Sequence, residues 1–272
     1  MSVSPYSTCL CRTVRFAVSP WTKPVDTAGQ DIHNAWAGWP SSESLGAFFE
    51  LDIIFQGPPD PASGYLADIR TIDRTVRSHA IPILTDAIRS KSEPQMPLLL
   101  NSILSALRTD LPDSLQSIRW RLSPYHCLAM SLDHPDRILI CQQYEFAAAH
   151  RLHNEAMTEQ ENRAVFGKCN NPNGHGHNYR IDVAVSRPME SPLNPSRLDA
   201  IVNAVVIKRF DHTHLNLDTK DFRAVVPSVE NIARVSFDLL GGRIAEAGGE
   251  LEFVKVWETE KTCAIYPARP SW

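Results

Sequence analysis

The chain carries little net charge, no C-x-x-C cysteine pair and no long apolar run. Its 272 residues include 27 Lys and Arg against 31 Asp and Glu, a net charge of −4. That balance gives no general pull toward nucleic acid or an anionic membrane, and neither is expected as a partner. No stretch approaches the ~18 apolar residues that a membrane-spanning helix needs. The opening residues, MSVSPYSTCLCRTVRF, lack the apolar core of a secretory signal. Cys9, Cys11, Cys127, Cys141, Cys169 and Cys263 are scattered. Reduced thiols in a cytoplasm are therefore expected, rather than a disulfide framework.

What is present is an ordinary globular composition, 43% hydrophobic and 21% charged, in a chain long enough for two modules. An internal repeat divides it. With a shift of 130 residues, VRFAVSP (14–20) falls over YEFAAAH (144–150), and SLGAFFELDIIF (44–55) over GHGHNYRIDVAV (174–185). NSILSAL (101–107) falls over NIARVSF (231–237). With a further shift of six, IRWRLSPYHCLAM (118–130) falls over VKVWETEKTCAIY (254–266). Each half reads as strand, long loop, strand, helix, helix, strand pair. FFELDIIF and YRIDVAVS alternate as strands, whereas IRTIDRTVRSHAIPILTDAI and RLDAIVNAVVIKRF have helical spacing. SVENIARVSFDLLGGRIAEAG reads as a helix capped by Ser228, with Gly241 and Gly242 near the end of its first part. The expected class is α+β, antiparallel sheet covered on one side by helices. The expected modules are residues 1–135 and 136–272.

One metal constellation stands out. On a strand, residues two apart share a face, so His175 and His177 can address one point. His150, on the preceding strand of the same half, is the natural third ligand. Three histidines leave the fourth position of a tetrahedral zinc ion open, as catalytic sites do; iron, nickel and copper also accept imidazole. An H-x-H pair alone is weak evidence. The repeat strengthens it, because Pro20, Leu45 and Ala47 stand at the three equivalent positions of the first half. All three ligands are missing together, as they would be if they serve one function.

FAAAHRL, GKCNNPNGHGHNYRIDVAV, FDHTHLNLD, PSVENIA and VKVWETEKTCAIY occur in that order between about 143 and 267. Together they closely resemble the 6-pyruvoyl-tetrahydropterin synthase family and the related 6-carboxytetrahydropterin synthases of queuosine biosynthesis. The resemblance implies the tunnelling fold: modules of a four-stranded antiparallel sheet with two helices, joined into barrels in a homo-oligomer. It implies Zn2+ on His150, His175 and His177, and 7,8-dihydroneopterin triphosphate as substrate. Cys169 matches the catalytic cysteine, and Asp211 with His212 the pair that completes its proton relay. Glu258 matches the glutamate that anchors the pterin; Glu230 and Ser228 fall where the pterin pocket is lined. Lys168 and Arg151 are candidates for attracting triphosphate, and His153 and His214 for solvent-facing or supporting positions. Five residues separate the cysteine from H-G-H, which favours the pyruvoyl over the carboxylated product.

The family's usual chain is one module. In the first half here, Trp39 stands at the cysteine's position, Leu122 at that of Glu258 and Leu100 opposite Glu230. IPILTD replaces the Asp-His pair, and Asp133-His134 lies in a late turn that is not equivalent. A catalytically inactive first module is expected, taking the place of a partner module in the oligomer.

Overall fold

Alternation makes FFELDIIF a strand: Leu51, Ile53 and Phe55 are buried on one face, and Glu50 and Asp52 lie on the other. The computed structural model describes residues 7–21, 45–90, 92 and 95–268, so Trp39 lies outside the described residues. Two compact units divide between Leu139 and Ile140, a few residues beyond the join expected at 135/136.

The first unit has strands β1 (Thr8–Val18) and β2 (Ala47–Gly57), then helices α1 (Ile69–Arg89) and α2 (Met96–Asp110), then β3 (Leu115–Ser123) and β4 (His126–Ser131). The strands lie in the order β1-β2-β3-β4, each antiparallel to the next. Both helices pack on the same sheet. Their apolar stripes, including Ile72, Val76, Leu100 and Leu104, are buried, as are Val14, Phe16, Ile53 and Ile118 on the strands. Each such side chain contributes about 1.5–3 kcal/mol on full burial. Asp68 starts α1 by accepting from Arg70 N at 3.0 Å.

Strand β5 (Arg137–His150) begins just before the division and runs on as the first strand of the second unit. A short helix α3 (Glu159–Phe166) and a 3-10 turn (Gly167–Asn170) follow, then β6 (His175–Pro188). The helical stretch read at 197–210 is α4 (Pro195–Val202), a widened π turn (Asn203–Ile207) and α5 (Lys208–Phe210). Two-residue β7 (Thr213–His214), α6 (Leu215–Asp218), the long α7 (Val229–Glu246) and the hairpin β8 (Glu250–Thr259) and β9 (Thr262–Tyr266) complete the unit. The strand order is β5-β6-β8-β9, with β7 lying parallel against β5. Ser228 caps α7 as read from the sequence, but the helix runs on through Gly241 and Gly242. It stops at Gly248, whose positive φ of 88° suits a residue without Cβ. The segment read as a long loop holds α3, started by a capping box between Thr158 and Glu161.

The two units repeat one register. Asp52 lies opposite Arg119, and Asp182 opposite Lys255; Leu51 lies opposite Trp120, and Ile181 opposite Val256. The register slips between Ile54 and Phe55 in one unit and between Ala184 and Val185 in the other. A second slip, between Arg121 and Ser123, recurs between Trp257 and Thr259. An aspartate occupies the same place on the face away from the core in each. Asp52 accepts from Thr13 Oγ1 (2.6 Å), Arg119 Nε (2.8 Å) and Arg121 Nη2 (2.8 Å). Asp182 accepts from Gln143 Nε2 (2.6 Å) and Trp257 Nε1 (3.2 Å).

Candidate metal centre and the residues around it

β5 ends on His150, and neighbouring β6 begins on His175, so sheet pairing alone brings the two together. Gly174 makes that start possible. Its φ is +70°, and a Cβ there would meet His214 Nε2 at 2.6 Å and the His150 carbonyl oxygen at 2.9 Å. Gly176, between the histidines, is under no such constraint: a Cβ would stand 3.6 Å from the Ala148 oxygen, ordinary contact. The alternation of β6 then puts His175, His177 and Tyr179 on one face.

The three candidate ligand nitrogens of His150, His175 and His177 lie within 4.8 Å of one another. Nε2 of His150 is 3.1 Å from Nε2 of His175. His150 is fully buried, and its Nδ1 donates to the Pro227 carbonyl oxygen at 2.7 Å. A carbonyl only accepts, so Nδ1 carries the proton and Nε2 presents its lone pair. The Tyr179 hydroxyl lies 3.3 Å from the same Nδ1. Burial pushes the His150 pKa down to about 4; the Pro227 bond opposes this, and the neighbouring imidazoles add to it. His175 is lowered by burial and by His177, with Glu258 opposing. These imidazoles are therefore neutral at pH 7, the form that binds a metal.

The donor set fits a metal ion. His177 Nε2 is buried without a hydrogen-bond partner among the described residues. Orphaned buried nitrogens are costly, and coordination removes that cost. Two ligand nitrogens on a tetrahedral ion at about 2.0–2.1 Å stand about 3.3 Å apart, close to the spacing found. Glu258 Oε1, from β8, lies 3.6 Å from His150 Nε2 and 3.8 Å from His177 Nε2. The residue matched to a pterin anchor thus stands beside the three histidines.

Cys169 is half-buried in the 3-10 turn, and its carbonyl accepts from Leu152 N at 2.9 Å. Burial raises the Tyr179 pKa, with the charges of Glu258 and Cys169 adding to it, so these groups share one electrostatic neighbourhood.

The Asp-His pair is fastened to β5. Asp211 Oδ1 accepts from Ala147 N (2.9 Å) and Oδ2 from His212 Nδ1 (2.8 Å); these bonds, the Ala147 one first, hold its pKa below the usual range. His212 N donates to the Ala147 carbonyl at 2.6 Å. At this corner His212 adopts a left-handed backbone (φ 57°) that costs about 1–2 kcal/mol. The His212 side chain is 82% exposed, and no hydrogen bond joins it to Cys169 among the described residues.

Ser228 Oγ is engaged as the α7 cap, accepting from Asn231 N at 3.4 Å, and Glu230 is exposed on the first turn. Neither bonds to the histidines among the described residues. His153 is held by Asn170 Nδ2 at 3.0 Å. Arg151, His153, His214, Asn216 and Arg223 line a cleft of about 370 Å³, in the size range of small-molecule sites. Lys168 is exposed beside Cys169.

Tyr179, Asn170 and the Pro227 carbonyl escaped the sequence reading. Tyr179 was signalled, since H-x-H-x-Y continues one face of the strand. The Pro227 carbonyl carried no signal, because a backbone acceptor has no residue type.

A family model for 6-pyruvoyl tetrahydropterin synthase matches residues 139–269. The human 6-pyruvoyl tetrahydrobiopterin synthase is 34% identical over 131 residues, which cover 47% of this chain and 89% of that protein. The Drosophila melanogaster 6-pyruvoyl tetrahydrobiopterin synthase is 37% identical over 126 residues, 44% of this chain and 74% of that protein. The solved Caenorhabditis elegans 6-pyruvoyl tetrahydropterin synthase aligns at 31% identity over 49% of this chain and 96% of its own, with a TM-score of 0.45.

Proposed function

The chain belongs to the 6-pyruvoyl tetrahydropterin synthase family, and from that premise we propose a zinc-dependent lyase acting on 7,8-dihydroneopterin triphosphate. Its product is 6-pyruvoyl-tetrahydropterin, with elimination of triphosphate. The observation that carries this reading is the cluster of three histidines, with Cys169 and Glu258 in its neighbourhood.

His150, His175 and His177 hold the ion, His150 being aimed by its bond to Pro227. Bound zinc supplies Lewis-acid polarisation of the substrate's side-chain oxygens. Cys169, as thiolate, takes protons from the side chain. Asp211 orients His212 and stabilises its charged form, so that the imidazole can exchange protons with the cysteine. Glu258 accepts from the 2-amino group and ring nitrogen of the pterin. Its place beside the histidines sets the pterin next to the metal. Glu230 and Ser228 line the pterin pocket. The exposure of His212 supports a site completed between copies of the chain, in a homo-oligomer. Six cysteines outside any disulfide suit a reducing cytoplasm.

In this reading residues 136–272 are the catalytic module and residues 1–135 a degenerate tandem copy. The repeated register and its two repeated slips support this. At the positions of His150, His175, His177 and Glu258 the first unit has Pro20, Leu45, Ala47 and Leu122. Phe49 stands for Tyr179, and its ring meets Trp120 edge-on at 5.1 Å. The first module then serves assembly, standing where a second catalytic module would otherwise join the barrel.

The test is incubation with dihydroneopterin triphosphate and identification of products by mass spectrometry. Pyruvoyl-tetrahydropterin and triphosphate are expected. Acetaldehyde with a 6-carboxylated pterin would overturn the assigned reaction in favour of the carboxytetrahydropterin synthases.

A further inference from the structure

Beyond His150, the next three residues all bond to the turn that carries Cys169. Leu152 N donates to the Cys169 carbonyl at 2.9 Å. Asn170 Nδ2 donates to the Leu152 carbonyl at 2.8 Å and to His153 Nδ1 at 3.0 Å. Arg151 Nε donates to the Asn170 carbonyl at 3.1 Å, and its Nη2 to Asn170 Oδ1 at 3.4 Å. Asn216 fixes Arg151 in turn, accepting from its N at 2.8 Å and donating to its carbonyl at 3.0 Å. Asn170 is only 4% exposed, so every one of its polar groups must find a partner within the protein.

We propose that Asn170 is a positioning residue that sets Cys169 against the metal centre, with Arg151 as its clamp. The proposal rests on the assignment of Cys169 as the proton-transfer group. The thiol reaches the site at the end of a long excursion between β5 and β6, and a free loop of that length would hold it loosely. The Asn170 network replaces that path with a short one, running from His150 through Arg151 and Leu152 directly into the cysteine's own turn. Only an asparagine donates twice and accepts once here. Aspartate keeps the shape but loses both donors, leaving the Leu152 carbonyl unpaired and facing a carboxylate. Buried Asn162 is the natural comparison, because it stitches the same excursion at Asn154, Met157 and Thr158 without bonding to the Cys169 turn.

The experiment compares wild type with Asn170→Ala, Asn170→Asp, Arg151→Lys and Asn162→Ala, each as the full zinc-loaded chain. Two quantities are read: kcat and KM on dihydroneopterin triphosphate, and the rate of Cys169 alkylation by iodoacetamide, followed by peptide mass spectrometry. In the Asn170 variants kcat should fall by on the order of 100-fold, with KM and zinc content little changed. Alkylation of Cys169 should accelerate several-fold in these variants and less in Arg151→Lys, which keeps the charge but not the fork. Asn162→Ala should lower the melting temperature without changing the alkylation rate. Equal alkylation rates in wild type and the Asn170 variants would overturn the proposal. So would equal acceleration by Asn162→Ala, since loosening of the whole excursion would then explain the effect. If wild type fails to turn the substrate over, the assigned reaction falls, while the alkylation rates still decide what positions the cysteine.

Discussion

His150 Nδ1 donates to the Pro227 carbonyl across 2.7 Å, and that bond turns the other ring nitrogen toward His175. A ligand is thereby fixed in tautomer and direction by backbone, with no side chain able to mutate away. The chain should bind one zinc ion, counted by plasma mass spectrometry on the purified protein. Replacing His150 or His177 with alanine should bring this to near zero. Two ions per chain would contradict an inactive first unit.

Metal-free protein should lose stability as the pH falls. The folded His150 resists protonation down to about 4, whereas an unfolded histidine takes its proton near 6.5. Between those values the unfolded state binds more protons, so acid favours unfolding across that window. Melting temperatures of the stripped protein at pH 7, 5.5 and 4.5 should show the decline. Substituting His150 with glutamine should flatten it.

Cys169→Ala should abolish turnover and leave zinc bound, because the thiol is not among the ligand nitrogens. Activity that survives the change would remove the cysteine from proton transfer.

Mixing two inactive variants, Cys169→Ala and His212→Ala, should restore part of the activity after joint refolding. The exposed His212 of one chain then completes the site of another. Mixtures that stay inactive would require the relay to close within a chain.

Asp52→Asn should destabilise the first unit by about 3 kcal/mol, the lower end for a broken buried ion pair, since Arg121 is partly exposed. Burial raises the Asp52 pKa, but the Thr13 hydroxyl and the two arginines outweigh it and hold the group below its usual value. Its stabilising contribution is therefore present above the unfolded carboxylate range and is lost as the pH falls through the folded value. Denaturant titration of the variant against wild type at pH 7 and pH 3 measures both effects.

Much of this was legible in the chain. Period-two alternation located β2 and β6, and H-x-H on one of them pointed to the candidate metal centre, because strand geometry forces His175 and His177 together. α3 was overlooked although Thr158 and Glu161 spell a capping box, since its few apolar residues make no stripe. The Asp211–His212 corner could not be foreseen. Its form depends on Ala147, a residue whose side chain says nothing and whose backbone does the holding. Glu258 was found by motif, but its closeness to the histidines depends on how β8 lies against β6.

The shared register has a consequence for how this molecule holds together. The first unit keeps the same strand pairing and the same slips with Pro20, Leu45 and Ala47 where the second has its histidines. On the proposed reading of the first unit as a degenerate copy, the scaffold needs no ion, and the chain carries its own metal-free control. Chelation should silence the second unit chemically while both sheets stay folded, so folding and chemistry can be lost, or engineered, one without the other.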